Sequence, residues 1–255
     1  MINRILNALW YLRSPKYWLH FIYMLKCRYF LPNYDTPTNI DKAKSWAINN
    51  AVSYNEAFAK VGLKGNFVGL DNDTLSLGKQ LATKSKVKMG GPGNVHLLYD
   101  AVKTLKAQKV IETGVAYGWS SLAILKALTE IGNGKLYSVD MPYPRRNNEK
   151  DVGIVVPKSL KKNWFLIRRP DQPGILEVIK MSGGDIDLCH YDSDKSWWGR
   201  NYAYPLLWEA LKVGGLFICD DIQDNLFFLE FVSHRSLKFS VIEYNGKFIG
   251  LIRKI

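Results

Sequence analysis

The chain has 255 residues, 47% of them hydrophobic, which excludes a disordered chain and suffices for one large α/β domain, or a domain with an appendage. Its 35 Lys and Arg residues exceed its 23 Asp and Glu residues, and the net charge of +12 favours anionic partners such as phosphates, nucleic acid or a membrane surface. Three widely spaced cysteines show no disulfide or zinc pattern and predict a reducing, cytoplasmic location.

The first 31 residues are aromatic and basic and contain no Asp or Glu. Their longest uncharged apolar run, Tyr17–Leu25, is about half of the ~20 residues that a membrane-spanning helix needs, and no signal-peptide cleavage site follows it. One interpretation is an interfacial helix, because Trp10 and Trp18 lie near basic residues and give peripheral membrane contact. The favoured alternative is a helical arm packed on the rest of the chain or on a partner in a homo-oligomer.

The next segment has mixed signals. Helical spacing over Asp41–Val61 predicts one helix that ends at Gly62. Loops follow, up to the Gly90–Gly93 cluster, which either separates two regions or closes over a bound ligand. We therefore predict a helical arm with loops over residues 1–93 and a second domain over residues 94–255.

After Gly93 the pattern alternates regularly between strands and helices. The predicted strands are Val110–Thr113, Lys135–Val139, Trp164–Ile167, Ile186–Tyr191, Leu216–Cys219, Phe239–Glu243 and Phe248–Ile252. The predicted helices are Val95–Ala107, Ser120–Ile131, Ile175–Met181, Tyr202–Leu211 and Leu226–His234. This alternation predicts an α/β fold with a mostly parallel sheet and helices on both faces.

The last two predicted strands are joined only by Asn245-Gly246, a strong hairpin signal, so the seventh strand should run antiparallel to the sixth. A seven-stranded sheet with a C-terminal antiparallel hairpin is not the usual dinucleotide-binding layout. It resembles the Rossmann-like fold of class I S-adenosylmethionine-dependent methyltransferases. We expect that fold for residues 94–255.

The segment Glu112-Thr-Gly-Val-Ala-Tyr-Gly118 resembles the first motif of this family, in which glycines let the backbone approach the cofactor and the next helix start meets its carboxylate. Ala116 stands where the family most often has glycine, which implies a tighter pocket. The resemblance implies cofactor contacts by Glu112, Gly114, Ala116, Gly118, Ser120 and Ser121. Asp140 follows the second strand and would accept the ribose hydroxyls, as in an NAD enzyme; by itself it could equally cap a turn.

The downstream segments resemble, in order and spacing, a branch of O-methyltransferases that act on sugars and other small hydroxylated molecules. These segments are Leu136–Pro142, Gly153–Pro157, Ile186–Ser193 and Val213–Asp221, within a resemblance that covers about Val95 to Phe231. In metal-dependent members, three residues at these strand ends hold Mg²⁺, and the matching positions are Asp192, Asp220 and Asp221. The ion would bind the acceptor hydroxyl and lower its pKa; the alternative is that Asp220 and Asp221 only cap the following helix.

Lys195 lies three residues after Asp192, where relatives carry histidine or, in catechol-type members, lysine as the general base. This role requires a depressed pKa, caused by burial or by the cation. Otherwise Lys195 is a surface residue paired with Asp194, and Asp192 or water takes the proton. The aromatic residues that follow would form a wall for a sugar or ring substrate: Trp197, Trp198, Tyr202 and Tyr204. The alternative is that Trp208, with Tyr204 and Leu211, is the buried face of a helix.

The loop Met141–Pro170 carries eight Lys or Arg residues, which indicates a phosphate-bearing acceptor, or by default a solvated loop. At its end, Arg168-Arg-Pro-Asp171 replaces a glycine–aspartate pair that helps to enclose the adenine in the family, which makes Asp171 a further candidate contact and predicts weaker cofactor binding.

The leading interpretation is a Mg²⁺-assisted, S-adenosylmethionine-dependent O-methyltransferase for a small molecule or sugar. A nucleic-acid methyltransferase would explain the charge, but no Asn/Asp-Pro-Pro-aromatic motif follows the fourth strand. An NAD-dependent oxidoreductase and a non-catalytic cofactor-binding protein also stay open as interpretations.

Overall fold

The computed structural model describes residues 2–132 and 134–255, with side chains from residue 6 onward. The helices are α1 Ile2–Leu12, α2 Trp18–Tyr29, α3 Pro37–Asn50, α4 Tyr54–Lys60, α5 Asn72–Ala82, α6 Val95–Leu105, α7 Trp119–Ile131, α8 Asp171–Ser182, α9 Trp197–Ala210 and α10 Phe227–His234. The strands are β1 Lys109–Thr113, β2 Lys135–Val139, β3 Trp164–Ile167, β4 Ile186–Tyr191, β5 Leu211–Cys219, β6 Phe239–Tyr244 and β7 Lys247–Arg253.

The strands form one sheet in the order β3-β2-β1-β4-β5-β7-β6. Neighbours from β3 to β5 pair in parallel, whereas β7 runs antiparallel to both β5 and β6, as the Asn245-Gly246 hairpin predicts. The order reverses between β1 and β4, where the connections leave toward opposite sides of the sheet. In open α/β sheets a ligand crevice forms at such a point, outside the carboxyl ends of the strands.

Apolar residues cover both faces of the sheet. On one face, Leu122 and Leu125 of α7 pack with α4 and α6 against strand residues such as Val110 and Leu188. On the other face, Tyr204 and Phe228 lie in a second core together with α8, α9 and α10. The near-continuous apolar strands predicted from the sequence are therefore buried on both sides, as expected for a parallel sheet.

The single helix predicted over Asp41–Val61 is wrong, because the chain forms α3 and α4 with a break between them. At the break, Ala51 bridges to Val241 of the edge strand β6, and the Val52 N–H donates to the Val241 carbonyl at 3.0 Å. The chain leaves the helical path because pairing with the sheet edge satisfies backbone groups that would otherwise stay open. Helix α4 ends near Gly62, where a stop was predicted.

The N-terminal helices α1 and α2 pack on the rest of the molecule. The His20 ring lies 2.9 Å from the Gln172 amide oxygen in α8, and the Tyr23 hydroxyl donates to the Trp198 carbonyl of α9 at 3.1 Å. Among the described residues, no helix has the length and apolar character needed to cross a membrane.

Candidate active site

A cavity of about 500 Å³ opens at the carboxyl ends of the strands, at the reversal between β1 and β4. Its walls include six segments: the turn after β1, the ends of β2, β4 and β5, the loop before α6, and the β6–β7 hairpin. The predicted site residues that line it are Gly114, Ala116, Ser120, Asp140, Asp192, Asp220 and Asp221. Their separation in sequence is large, and the sheet alone brings them together.

The turn after β1 takes a left-handed backbone at alternate residues. Gly114, Ala116 and Gly118 have φ angles of +80°, +49° and +89°. A Cβ on Gly114 would lie 2.7 Å from the Asp192 carbonyl carbon, so only glycine lets this turn lie against the end of β4. Ala116 holds the strained conformation with a methyl group, which explains why glycine suits this position.

Helix α7 begins at this turn with its first amide groups uncapped. Gly118 is the N-cap and offers no side chain to them. The first N–H groups of a helix have no partner within the helix, and together with its dipole they favour an anion. Because Ser120 lines the cavity, a carboxylate placed there would meet these groups.

Asp140 ends β2 and faces the cavity, but its carboxylate is already engaged. One oxygen accepts from the Val115 N–H at 2.9 Å, and the other is ion-paired with Arg168, which also donates to the Asp140 carbonyl at 2.8 Å. Burial raises the pKa of Asp140, and Arg168 offsets only part of this effect. A ribose that used Asp140 would have to compete with Arg168, which belongs to the loop that departs from the family.

Glu112 and Ser121, two further predicted cofactor contacts, do not line the cavity. Glu112 is fully buried, and one carboxylate oxygen accepts hydrogen bonds from the hydroxyls of Ser121 at 2.6 Å and Ser138 at 2.7 Å. These bonds join β1, β2 and α7. Glu112 and Ser121 therefore support the turn from beneath the cavity lining. Glu112 lies on the same face of the sheet as its register partner His190, which does line the cavity.

His190 lines the cavity although the sequence analysis did not select it. It is buried on β4, with Nε2 3.5 Å from the Asp220 carboxylate and Nδ1 3.9 Å from Glu112. Burial lowers the pKa of His190, but the two carboxylates outweigh burial and raise it to about 10. Its signal in the sequence is an ionisable residue near the carboxyl end of a predicted buried strand.

Asp192, Asp220 and Asp221 converge on the cavity from the ends of β4 and β5. The Lys195 ammonium is ion-paired with Asp192 and lies 3.1 Å from Asp221, which also pairs with Lys247 at 2.9 Å. Asp221 has a φ of +54°, in the left-handed region that Asp and Asn enter more readily than most other non-glycine residues. Three carboxylates at one point are costly unless cations neutralise them, and here the lysines do so.

The pKa of Lys195 moves in the direction opposite to the one that its predicted role requires. Burial lowers the pKa, but Asp192, Asp220 and Asp221 outweigh burial and raise it above the ordinary lysine value. Lys195 does not itself line the cavity. In this arrangement the Lys195 ammonium neutralises the carboxylates. It contacts Asp192 and Asp221, and not Asp194 as the alternative prediction had it.

Comparison with known proteins agrees with this geometry. Residues 111–222 match the family model of a methyltransferase domain. A caffeoyl-CoA O-methyltransferase from Stellaria longipes is 32% identical over 133 residues, which are 49% of this chain and 50% of that protein. The match therefore spans about half the length of this curated relative. We refer to residues 111–222 as the methyltransferase domain, after the family model that they match.

Two solved structures share the fold of the methyltransferase domain. An O-methyltransferase from Bacillus cereus in complex with S-adenosylhomocysteine has a TM-score of 0.57 at 14% identity, covering 84% of this chain and all (100%) of that one. A methyltransferase from Podospora anserina bound to S-adenosylhomocysteine has a TM-score of 0.54 at 14% identity, covering 89% and 98%. The predicted class I Rossmann-like fold is confirmed.

The acidic end of the methyltransferase domain suits a hard cation by its donor chemistry, since carboxylate oxygens are the ligands that Mg²⁺ prefers. As the side chains lie, no group of three or more His, Cys, Asp or Glu among the described residues forms a ready coordination shell. However, the Lys195 ammonium sits between Asp192 and Asp221 and marks a place where positive charge is held. The residues fit a cation that takes over this charge.

Asp171 of the methyltransferase domain lies outside the cavity lining. It is the first residue of α8, and its carboxylate accepts a hydrogen bond from the Ser193 hydroxyl at 2.6 Å. The predicted contact with adenine is therefore not formed by this side chain as placed. Asp171 instead ties α8 to the loop that carries Asp192.

Asp171→Asn should change how stability depends on pH. Burial raises the pKa of Asp171 from 3.8 to about 6, and the Ser193 hydroxyl opposes only part of this. The folded state holds the proton of Asp171 more tightly than the unfolded state does. The protonated Asp171 therefore stabilises the fold below about pH 4, and the free energy of unfolding falls by roughly 3 kcal/mol as the pH rises to about 6. Urea denaturation between pH 4 and pH 6 should show that the free energy of unfolding of D171N increases relative to that of the wild type as the pH rises. The exposed Asp73→Asn variant is the control, and a pH-independent difference for D171N would contradict the assignment.

The aromatic residues after Lys195 do not line the cavity of the methyltransferase domain. Tyr204 is fully buried and packs edge-on against Tyr191, and Trp197 packs against Tyr34 and Phe227. The alternative of a buried helix face therefore holds for Tyr204, Trp208 and Leu211, whereas Trp197, Trp198 and Tyr202 are only partly buried. Their helix also begins earlier than the predicted Tyr202, because Ser196 caps it.

Several further residues line the cavity that were not selected as site residues from the sequence. The loop Gly90–Asn94 lines it, in agreement with one of the two interpretations of the Gly90–Gly93 cluster, a loop over a bound ligand. Tyr143 and Lys247 also line it, the latter from the hairpin that was used only as a fold signal. A turn motif reports local backbone shape, whereas its position over the cavity follows from sheet order.

Proposed function

We propose that this chain is an S-adenosylmethionine-dependent O-methyltransferase that methylates a hydroxyl group of a small molecule or sugar, with assistance from Mg²⁺. The observation that supports this proposal most directly is that the glycine turn after β1 and three carboxylates at the ends of β4 and β5 line one cavity. A nucleoside cofactor and an acidic acceptor end are thereby placed within reach of each other.

Cofactor binding is assigned to the turn and to Asp140. The uncapped start of α7 would hold the cofactor's carboxylate, and Asp140 would accept the ribose hydroxyls after Arg168 releases it. The chemistry is an in-line displacement, in which the methyl carbon leaves the sulfonium sulfur and bonds to the acceptor oxygen. The protein contributes by holding these atoms in line and by excluding water.

Asp192, Asp220 and Asp221 are the residues that would hold the cation. Bound there, Mg²⁺ would supply positive charge that favours the ionised form of the acceptor hydroxyl. It would also neutralise the carboxylates that raise the pKa of Lys195. The acceptor's proton must pass to a group at this end of the cavity. Asp192 lines it, and burial and Asp220 raise its pKa, while Lys195 can accept a proton only once its own pKa falls.

A phosphate-bearing acceptor is the finer part of this proposal. Lys247 lines the cavity, and Arg145 and Arg146 follow the cavity residue Tyr143 on the basic loop. A phosphate group could be held by these cations.

Ligand binding tests the proposal. S-adenosylhomocysteine at about 100 times its Kd should raise the Tm by roughly 5–10 °C, whereas NAD should not. Asp140→Asn keeps an acceptor for the Val115 N–H but removes the charge, so S-adenosylhomocysteine affinity measured by calorimetry should fall about 10–100-fold. Asp73→Asn is the matched control. Stabilisation by NAD alone would instead favour the oxidoreductase.

A further inference from the structure

The second helix has an apolar face that the protein leaves open. Trp18, Ile22, Leu25 and Tyr29 follow one another at spacings of four, three and four residues, which places them on one stripe of α2, and Leu19 lies beside it. Their exposed fractions include 85% for Leu19, 60% for Ile22 and 67% for Tyr29. We call these five residues the outer face of α2. Single exposed apolar residues are ordinary, whereas a continuous stripe marks an interaction surface.

The opposite face of α2 fixes the direction in which the outer face points. His20 and Tyr23 bond to α8 and α9, which attaches this side of α2 to the methyltransferase domain. Phe21, at the border of the outer face, stacks on Tyr11 of α1 with ring centroids 5.1 Å apart. Helix α2 is therefore already packed on the domain through another side, and the outer face points away from the domain.

Charge around the outer face selects its partner. No Asp or Glu precedes Asp35 in the chain, and Arg13, Lys16, Lys26 and Arg28 are all exposed. Two copies of this chain that met through the outer face would bring these cations against one another. An anionic surface, in contrast, would be attracted by them while the apolar stripe leaves water.

We propose that the outer face of α2 docks on an anionic phospholipid surface, with the helix axis parallel to the membrane plane. Its 12 residues are too few to span a bilayer, which needs about 20, but suffice to bury one face at the headgroup boundary. Trp18 and Tyr29 lie at the two ends of the stripe, and such amphipathic rings favour the membrane–water interface. This docking does not depend on the methyl-transfer reaction.

Vesicle flotation of the full-length chain tests the proposal. The probes are vesicles of phosphatidylcholine with phosphatidylglycerol, mixed at about two to one, and vesicles of phosphatidylcholine alone. The wild type should float with the anionic vesicles, and raised salt should weaken this binding because the charges are screened. Equal binding to both vesicles, or to neither, would overturn the proposal.

Matched variants locate the surface. Leu19→Ser with Ile22→Ser should weaken partitioning onto anionic vesicles at least about tenfold, whereas Val68→Ser, at an equally exposed valine, should not. Lys16→Glu with Lys26→Glu should also weaken it at least about tenfold, whereas Lys79→Glu on α5 should not.

Two measurements separate docking from other effects of these changes. An unchanged circular dichroism spectrum and Tm show that each variant is folded. Size-exclusion chromatography on the same samples reports self-association. If the wild type formed a dimer that L19S/I22S abolished, and no variant altered vesicle binding, the outer face would belong to a second copy and the proposal would be wrong.

Discussion

Asp192→Asn should lower the turnover number of methyl transfer by at least about 10²-fold, since it removes one of three carboxylates from the acidic end of the cavity. Asparagine has nearly the same shape, so the change acts on charge and leaves packing intact. Binding of S-adenosylhomocysteine should change little, because the turn after β1 and Asp140 are the groups proposed to hold that ligand. Turnover is measured as S-adenosylhomocysteine formation with hydroxylated sugars and aromatic compounds as acceptors.

The same variant tests the cation directly. Chelation with EDTA should abolish turnover of the wild type and added Mg²⁺ should restore it, whereas the affinity of D192N for Mn²⁺, used as a spectroscopic substitute, should fall about tenfold or more. Asp224→Asn is the matched control, because Asp224 is close in sequence to Asp221 but does not line the cavity. Full turnover of D192N, or turnover that persists in EDTA, would contradict the assigned role of the carboxylates.

Gly114→Ala should both destabilise the protein and abolish S-adenosylhomocysteine binding. The new methyl group would meet the Asp192 carbonyl, which is backbone and cannot rotate away. The turn after β1 must move away from the end of β4 to relieve this clash. This movement would separate the turn, which is proposed to bind the cofactor, from the three carboxylates. Overpacking of this kind costs about 1–3 kcal/mol, in addition to about 1 kcal/mol for alanine at a φ of +80°.

Gly183→Ala separates the two costs. Gly183 ends α8 with a φ of +71°, and a Cβ there would meet nothing within 4 Å. This control therefore carries the backbone strain without the clash. Urea denaturation should show G114A to be less stable than G183A, and calorimetry should show that only G114A loses the ligand. Equal losses in the two variants would mean that close approach to Asp192 plays no part.

Local patterns were sufficient to predict the strands, most helices and the hairpin. The convergence of Asp192, Asp220 and Asp221 was also predictable, because parallel strands end at the same edge of a sheet. The error at Asp41–Val61 has a different origin. Its apolar spacing is helical throughout, and only the open edge of β6 gives the backbone at Ala51 a better partner.

The site is less predictable than the fold, because its details are pairings between distant side chains. Arg168 is ion-paired with the Asp140 carboxylate that was predicted to bind ribose, and Glu112 is buried beneath the cavity lining, where it accepts hydrogen bonds from Ser121 and Ser138. The pKa of Lys195 is set by three carboxylates that lie on two different strands. In each case the sequence showed an ionisable residue at a strand end or in a nearby loop, but it did not show which side chain that residue would pair with.

The sequence by itself determined the alternation of strands and helices, the C-terminal hairpin, the glycine turn and the acidic strand ends, since periodicity and turn residues are local properties. The class I methyltransferase fold was implied by the resemblance of these segments to that family. The sequence also determined that the first 31 residues are basic and aromatic. The tertiary structure alone decided which charges neutralise one another, which loops close the cavity and which face of α2 remains open. These features depend on distances between residues far apart in the chain, and electrostatic and packing free energies change steeply with such distances.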